Sequence, residues 1–226
     1  MQLSELKPQI PLKVYEQMEI LGRTTLRPSQ WKAIKAGLFE DKNLLICTPT
    51  ASGKTLVAEL AFLNSILNGI GKAIYIVPLK ALANEKYDEF TKKYGSLFKI
   101  AKSIGDTDSE ESYLAKYDLI ITTSEKLDSL IRHHAPWLRE VKTVVVDEIH
   151  LLNDTTRGPT LEIVLTILRQ VLKNIQLIGL SATIGNPKEL SAWLNAQLVE
   201  DSWRPVKLHK GIYLDGHVEF FEEKKK

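Results

Sequence analysis

The stretch Leu44–Leu56, LLICTPTASGKTL, constrains the fold more than any other part of the chain. An apolar run is followed by a loop of small residues, and Gly53-Lys54-Thr55 then opens an amphipathic pattern with helical spacing. A strand that turns directly into a helix points unpaired backbone N–H groups and the positive end of the helix dipole at one place. The pattern therefore predicts a strand, a phosphate-binding loop and a helix, in that order.

The end of this loop has the chemistry of a nucleotide site. Gly53 lets the backbone approach a phosphate, Lys54 brings a positive charge to the β- and γ-phosphates, and the Thr55 hydroxyl can bind Mg²⁺. The usual pattern begins with Gly six residues before the Lys, where this chain has Thr48. Gly-Lys followed by Ser or Thr occurs by chance in about one chain in ten of this length, so an ordinary turn remains the alternative at this point. The predicted nucleotide contacts are Thr48, Pro49, Thr50, Ala51, Ser52, Gly53, Lys54 and Thr55.

Apolar runs and helical patterns alternate along the rest of the chain. Several runs are continuously apolar, as expected for strands buried on both faces of a parallel sheet. Repeated strand–helix units predict an α/β fold, a mostly parallel β-sheet flanked by helices on both faces, with ligands at the carboxyl ends of the strands. Short helices are expected before residue 44, and Arg204–Leu214 is a candidate for a further strand. The predicted strands are Leu44–Cys47, Ala73–Val77, Lys99–Ser103, Leu119–Thr122, Thr143–Val146 and Leu177–Leu180, and the predicted helices are Leu56–Asn68, Lys80–Tyr94, Ser124–Arg132, Pro159–Lys173 and Pro187–Ala196.

Composition limits the classes of protein without choosing one. Of the 226 residues, 44% are hydrophobic and 26% charged, which is typical of a globular domain. The net charge of +2 permits a nucleic-acid partner without favouring one, because dedicated electrostatic binders are usually far more basic. The single cysteine, Cys47, excludes an intrachain disulfide, and no apolar run approaches the roughly 18 residues of a membrane span. We therefore expect a cytoplasmic protein with no membrane segment.

The second informative stretch is Thr143–His150, TVVVDEIH. An apolar strand that ends in two adjacent carboxylates brings both to the sheet edge where the phosphate-binding loop is expected. Asp147 can hold Mg²⁺ through its water shell, and Glu148 can orient or deprotonate an attacking water. The alternative is a strand that runs into a polar turn, but both motifs together arise by chance on the order of two times in a thousand. The predicted catalytic residues are Lys54, Asp147 and Glu148, and the predicted metal ligands are Thr55 and Asp147.

With both motifs present, the chain resembles the first RecA-like motor domain of superfamily-two helicases. More narrowly, it resembles the Ski-two-like group and its archaeal DNA helicases of the Hjm (Holliday-junction migration) type, over essentially the whole chain. The resemblance implies a RecA-like P-loop NTPase fold, with ATP and Mg²⁺ as cofactors and single-stranded or branched DNA as a partner. Its motifs are the Q motif at Leu26–Gln30, motif Ia at Pro78–Lys86, a Gly-Asp motif at Ser103–Asp106, motif Ib at Thr122–Arg132, motif II and the Arg-Gly helix start at Asp147–Glu162, motif III within Gly179–Asn186, and the exit segment at Ser202–Leu208.

The resemblance also implies roles for residues outside the two phosphate-binding motifs. Gln30 would contact the adenine edge. Motifs Ia and Ib would supply backbone amides and hydroxyls at strand–helix junctions, which suit the phosphates of one nucleic-acid strand. For Lys80 and Arg157 the alternative is a solvated surface side chain, and for Ser181 and Thr183 it is a turn that caps the strand end. The implied nucleic-acid contacts are Pro78, Lys80, Gly105, Thr123, Ser124 and Arg157, and the implied coupling residues are His150, Ser181 and Thr183.

The family's second RecA-like domain, with its arginine-finger motif, has no counterpart after Ser181-Ala182-Thr183. We expect residues 1–203 to form the ATP-binding domain and residues 204–226 to form an exit strand and the start of a linker to that second domain. The expected function is the ATP-binding motor domain of an ATP-dependent DNA helicase acting on forked or branched DNA. As a monomeric fragment it would hydrolyse ATP and translocate only together with the second domain. The alternatives are an RNA helicase of the same group and a nucleotide-gated nucleic-acid-binding module without turnover.

Overall fold

The computed structural model describes residues 1–105, 111–172 and 174–221. Three parts of the sequence predictions lie outside the described residues: Asp106 of the Gly-Asp motif, Lys173 at the end of a predicted helix, and positions 222–226 of the expected linker.

A parallel sheet forms the centre of the fold. Within the described residues its strands are β1 (Leu44–Cys47), β2 (Lys72–Val77), β3 (Ile100–Ser103), β4 (Leu119–Thr123), β5 (Val141–Val146), β6 (Gln176–Ser181) and β7 (Gln197–Glu200). Their spatial order is β3-β4-β2-β5-β6-β1-β7, and every pair of neighbours is parallel. This order makes β4, β2, β5, β6 and β1 the inner strands, and the two predicted phosphate-site motifs follow β1 and β5.

Helices cover both faces of the sheet. They are α1 (Leu12–Ile20), α2 (Pro28–Lys35), α3 (Lys54–Leu67), α4 (Lys80–Tyr94), α5 (Ser124–Arg132), α6 (Gly158–Val171) and α7 (Pro187–Leu194). Short 3₁₀ segments lie at Leu3–Gln9, Ser112–Lys116, Pro136–Glu140 and Ile149–Asn153. Among the described residues, none of these helices combines the length and apolar character that a bilayer crossing requires.

Two hydrophobic cores lie on opposite faces of the sheet, because successive side chains of a strand point to opposite sides. On one face Tyr75 and Val145 pack with residues of α1 to α4. On the other face Ile74 and Val144 pack with residues of α5 to α7. The predicted α/β fold, with a parallel sheet between two helical layers, is confirmed.

The predicted elements agree with the observed ones to within two residues at each end. The agreement follows from the double burial of the inner strands, which makes them largely apolar. One strand of the main sheet was missed: β7, Gln197–Glu200, lies at the edge of the sheet and buries only Val199. Four residues with one buried position carry too little periodicity to separate a strand from a loop.

The candidate strand at Arg204–Leu214 is correct only at its end. Residues 211–214 form β8 (Gly211–Leu214), which pairs with β9 (His217–Phe220) in an antiparallel hairpin separate from the main sheet. Asp215 and Gly216 connect the two strands with φ values of 47° and 82°. Two consecutive positive φ values are the requirement of a tight hairpin turn, and Asp-Gly satisfies it with little strain.

Candidate active site and nucleic-acid groove

The loop between β1 and α3 has the predicted form of a phosphate-binding loop. Thr48, which stands where Gly is usual, is fully buried, and its Oγ1 lies 2.7 Å from Ser52 Oγ across the loop. Its backbone N–H donates to the carbonyl of Ser181 at the end of β6. The Thr48 side chain is therefore accommodated inside the loop and hydrogen-bonded to Ser52.

Lys54 begins α3 and is 8% exposed. Its Nζ donates to the carbonyl oxygen of Thr48 at 3.3 Å, so the ammonium group reaches back across the loop. A neutral carbonyl compensates a buried charge poorly, and a phosphate group would do so better. The position of Lys54 suits its predicted contact with the outer phosphates of a nucleotide, which stays a prediction.

The Q-motif residues brace this loop from the side. Gln30 Oε1 accepts from the Arg27 backbone N–H at 2.8 Å, and Gln30 Nε2 donates to the Gly53 carbonyl at 3.0 Å. Arg27 Nη1 in turn donates to the Ala51 carbonyl at 2.8 Å. Both ends of the Gln30 amide therefore contact the protein backbone, and its implied adenine contact stays a prediction. Arg27 is a supporting residue that the sequence interpretation missed.

A cleft of about 400 Å³ opens beside the start of α3. Gln30, Gly53 and Thr55 line one part of it, and the segment 22–25 lines another. Its size and its contact with the phosphate-binding loop suit a nucleoside. Three of the predicted nucleotide residues thus share one cavity with the turn that precedes the Q motif.

The predicted metal ligand Asp147 immediately follows β5. Its backbone N–H donates to Ile76 in the neighbouring strand β2 at 2.9 Å. The Tyr75 hydroxyl donates to Asp147 Oδ2 at 2.8 Å, and the Glu148 N–H donates to Oδ1 at 3.0 Å. Burial raises the pKa of the Tyr75 phenol well above its ordinary value, and the Asp147 carboxylate raises it further. The phenol is therefore a fixed donor to this carboxylate.

Glu148 is held in a left-handed backbone conformation, with a φ of 50°. This conformation begins the 3₁₀ segment Ile149–Asn153 and leaves the side chain 36% exposed. His150 Nδ1 lies 3.3 Å from Glu148 Oε2. An accessible carboxylate next to the predicted metal ligand Asp147 can contact a water molecule, as the predicted role of Glu148 requires.

The motif III residues lie between the two phosphate-site motifs. Strand β6 separates β1 from β5, and Ser181 at its end is fully buried and contacts Thr48 through its backbone. Thr183 is exposed. Among the hydrogen bonds of the described residues, none joins either side chain to Asp147 or Glu148. The coupling role of Ser181 and Thr183, like that of His150, stays a prediction.

A second, larger cavity of about 750 Å³ lies along the carboxyl ends of β2, β3 and β4. It unites five of the six implied nucleic-acid contacts, although they come from four separate segments of the sequence. These are Pro78, Lys80, Gly105, Thr123 and Arg157. We call this cavity the groove. The sixth residue, Ser124, is buried and lines a smaller cavity behind it, together with Asp147, Glu148 and Arg157.

Two helix N-termini open on the groove. Helix α4 starts at Lys80 and α5 at Ser124, where Thr123 Oγ1 accepts the Lys126 backbone N–H as an N-cap. Lys126 also lines the groove, but its buried ammonium group pairs with Glu111 at 3.0 Å. The positive ends of two helices suit phosphate groups rather than base edges.

Arg157 is fixed at the boundary between the groove and the Asp147-Glu148 turn. Asp154 Oδ1 accepts the backbone N–H groups of Thr156 and Arg157, each at 2.9 Å, and the Thr156 hydroxyl at 2.6 Å. The hydrogen bond from the Thr156 side chain and those from the two N–H groups lower the pKa of Asp154 to about 2. Gly158 is required here because a Cβ would lie 2.2 Å from the Leu152 carbonyl oxygen. Asp154 was missed, although an Asp two and three residues before such donors is a known turn pattern.

These elements place a loop with the form of a P-loop next to a groove suited to a nucleic-acid backbone. A sequence model of the DEAD/DEAH box helicase family matches residues 27–190, which is most of the chain. The chain belongs to the DEAD/DEAH box helicase family. The resemblance to superfamily-two helicases that the motifs indicated is confirmed.

Curated relatives narrow the similarity. The chain is 57% identical over 215 residues to the ATP-dependent DNA helicase Hel308 of Methanocaldococcus jannaschii. The matched region covers 92% of this chain and 18% of that protein. It is 49% identical over 225 residues to the ATP-dependent DNA helicase Hel308 of Pyrococcus horikoshii, and this match covers 100% of this chain and 31% of that protein. The chain therefore spans less than a third of the length of these relatives.

Solved structures support the same fold. A crystal structure of the DUF1998 helicase MrfA bound to DNA has a TM-score of 0.70 and 28% identity, over 86% of this chain and 30% of that one. A second crystal structure of MrfA, bound to DNA and AMPPNP, has a TM-score of 0.72 and 29% identity, over 86% of this chain and 29% of that one. The RecA-like fold that the motifs implied is confirmed.

Proposed function

We propose that this chain is the ATP-binding motor domain of an ATP-dependent DNA helicase that acts on forked or branched DNA. One observation carries the proposal: the nucleotide loop, the Asp147-Glu148 pair and the groove share the carboxyl edge of one parallel sheet. A small cavity lined by Asp147, Ser124 and Arg157 lies between the acidic pair and the groove. ATP and a nucleic-acid strand would therefore bind to adjacent parts of one rigid layer.

The proposed ATP site uses this chain's residues in distinct ways. Backbone N–H groups at the start of α3 and the Lys54 ammonium bind the phosphates. Glu148 orients the attacking water and accepts its proton. Thr55 and Asp147 offer the hard oxygen donors that Mg²⁺ prefers, and the metal when bound neutralises phosphate charge. No cluster of three His, Cys, Asp or Glu side chains occurs among the described residues, so water and phosphate oxygens would complete its shell.

The proposed nucleic-acid site grips the backbone of one strand. The N-termini of α4 and α5, with Lys80 and Arg157, meet phosphates and leave the bases unread. Contacts of this kind suit translocation, because every nucleotide presents the same phosphate. DNA is preferred to RNA because the relatives are named as DNA helicases and the structural neighbours carry DNA in their titles.

We further propose that residues 1–203 form this domain and that residues 204–226 lead towards a second RecA-like domain. The last strand of the main sheet ends at Glu200, and the hairpin of β8 and β9 pairs with itself. The length of the relatives is consistent with further domains. A second domain would bring a cationic finger to the transferred phosphoryl group, a contribution of roughly 10³–10⁵ in rate in related enzymes. The 226-residue chain alone would then be a monomer with little ATP turnover, and its proposed setting is intracellular, where DNA is found.

The test is ATP hydrolysis by the longer protein to which this chain is assigned, measured without nucleic acid, with single-stranded DNA and with single-stranded RNA. The proposal predicts turnover that single-stranded DNA stimulates more than RNA. Stronger stimulation by RNA would favour the RNA-helicase alternative. Nucleotide binding without any turnover would favour a nucleotide-gated binding module.

A further inference from the structure

Tyr75 is a buried tyrosine that none of the helicase-like motifs contains. It lies within β2 and has no exposed surface. Its hydroxyl donates a hydrogen bond of 2.8 Å to Asp147 Oδ2, although 71 residues separate the two in the sequence. Through this hydrogen bond, the buried phenol contacts a residue proposed to bind the metal at the nucleotide site.

The sheet register explains how the two residues meet. Strand β2 pairs with β5 so that Tyr75 lies opposite Val145, and Asp147 is two residues further along. Residues related in this way point to the same face of a sheet and lie diagonally across neighbouring strands. The hydrogen bond from the Asp147 backbone N–H to the Ile76 carbonyl oxygen, at 2.9 Å, holds the start of the turn next to the tyrosine.

The tyrosine ring belongs to a cluster of aromatic side chains from α3 and α4, two helices on the same face of the sheet. Phe90 of α4 packs edge-on against Tyr75 with ring centroids 5.2 Å apart, and Phe62 of α3 packs against Phe90 at the same separation. Helix α3 is the helix that begins with Lys54 and Thr55. The Tyr75 ring is therefore connected by aromatic packing, through Phe90 and Phe62, to α3, which also carries the other proposed metal ligand, Thr55.

We propose that Tyr75 is a positioning residue that holds the Asp147 carboxylate in the orientation needed to bind the metal of the metal–nucleotide complex. This proposal rests on the proposed function. Tyr75 occupies one lone pair of Oδ2 and the Glu148 N–H occupies one of Oδ1. Each oxygen keeps a second lone pair for the metal or its water shell. Without the hydroxyl, the carboxylate can rotate about its side-chain bonds, and the donor geometry is no longer fixed.

The alternative is that the hydroxyl serves only the stability of the aromatic cluster. Tyr94 offers a matched control for that case. It is also fully buried, its ring lies 5.8 Å from Phe62, and its hydroxyl donates to a buried carboxylate, that of Glu59. Glu59 belongs to α3, where it pairs with Lys93. Replacing either tyrosine by Phe keeps the ring and removes one hydroxyl.

The experiment measures binding of a fluorescent, non-hydrolysable ATP analogue to the 226-residue chain at increasing Mg²⁺ concentration. Mn²⁺ binding in the presence of the same analogue, followed by electron paramagnetic resonance, is the second measurement. For Tyr75→Phe we expect the metal concentration at half-saturation to rise about tenfold, the scale of effect that loss of a metal-supporting hydrogen bond has elsewhere. Affinity for the analogue without metal should stay within about twofold of wild type, and Tyr94→Phe should leave the metal dependence unchanged.

Three results would overturn the proposal. They are a wild-type metal dependence in Tyr75→Phe, an equal shift in Tyr94→Phe, and a Tyr75→Phe chain that does not fold, which would assign the hydroxyl to the scaffold. The failure of the proposed function has a different signature. In that case the wild-type chain itself would show no metal-dependent binding of the analogue, and both proposals would fall together.

Discussion

Gln30 Nε2 donates to the carbonyl oxygen of Gly53 at 3.0 Å, and a Cβ on Gly53 would lie only 2.5 Å from the same nitrogen. The Gln30 amide can therefore reach the Gly53 carbonyl only because residue 53 has no side chain. Through this contact, α2 supports the phosphate-binding loop. Gly53 also has a φ of +91°, a conformation that an L side chain adopts only with strain.

We expect Gly53→Ala to weaken binding of an ATP analogue by about tenfold or more, because strain and the clash with Gln30 both displace the loop. Equilibrium fluorescence binding to the 226-residue chain checks this. Gly69→Ala is the matched control, since Gly69 also has a positive φ, +68°, but a Cβ there would meet no atom within 4 Å. Equal losses of binding in both variants would mean that backbone strain alone, and not the contact with Gln30, explains the result.

Gly158→Ala should weaken nucleic-acid binding. The new Cβ would lie 2.2 Å from the Leu152 carbonyl oxygen, so the start of α6 must move and take Arg157 with it. Overpacking of this kind typically costs about 1–3 kcal/mol of stability, and we expect affinity for a single-stranded oligonucleotide to fall several-fold. The control is Gly185→Ala, because a Cβ at Gly185 meets nothing within 4 Å. Unchanged oligonucleotide affinity in a folded Gly158→Ala chain would contradict the role given to Arg157.

The pH dependence of stability should reveal the turn at Asp154. The pKa of this carboxyl is lowered from its ordinary value of 3.8 to about 2 in the folded chain, because the Thr156 side chain and two N–H groups donate to it. A folded-state pKa below the unfolded one stabilises the fold above about pH 4, and this contribution is lost as the pH falls towards 2. Thermal melting between pH 2 and pH 5 should therefore fall less steeply for Asp154→Ala than for wild type. Identical slopes would show that these hydrogen bonds do not govern the ionisation of Asp154.

Cys47 provides a probe of β1. Cys47 is the last residue of β1, directly before the phosphate-binding loop. Burial raises the pKa of its thiol to about 11, so the thiol is protonated at neutral pH and shielded from solvent. We expect the folded chain to react with a thiol reagent at pH 8 far more slowly than the unfolded chain, and an ATP analogue to slow the reaction further. Because the chain has a single cysteine, the release of thiolate from the reagent measures this site alone. Rapid reaction of the folded chain would contradict the burial of β1.

Much of the fold and the nucleotide site follows from local sequence. Strands such as Leu44–Cys47 are apolar throughout because both faces are buried, and Gly53-Lys54-Thr55 carries its chemistry within three residues. The contact of Tyr75 with Asp147 could not be predicted in this way. It depends on β2 lying next to β5, and a pattern of apolar residues identifies strands without giving their order.

The groove shows the same limit. Five of its predicted residues could be named from motifs, but the burial of Ser124 and the pairing of Lys126 with Glu111 depend on how α5 packs. The role of Asp154 was accessible in principle, because its acceptor pattern is local to Asp154–Arg157. Long-range packing, rather than residue chemistry, is the part that a single sequence does not reveal.

The central claim is that Glu148 activates water in an ATP site that shares a sheet edge with a DNA groove. Its most direct test compares DNA-stimulated ATP hydrolysis and ATP binding in the longer protein, for wild type and Glu148→Gln, with Lys54→Ala as a reference. Loss of a general base typically costs about 10²–10⁴ in rate. The prediction is ATP binding close to wild type with almost no turnover in Glu148→Gln, and the loss of both in Lys54→Ala. Near-normal turnover in Glu148→Gln would contradict the account.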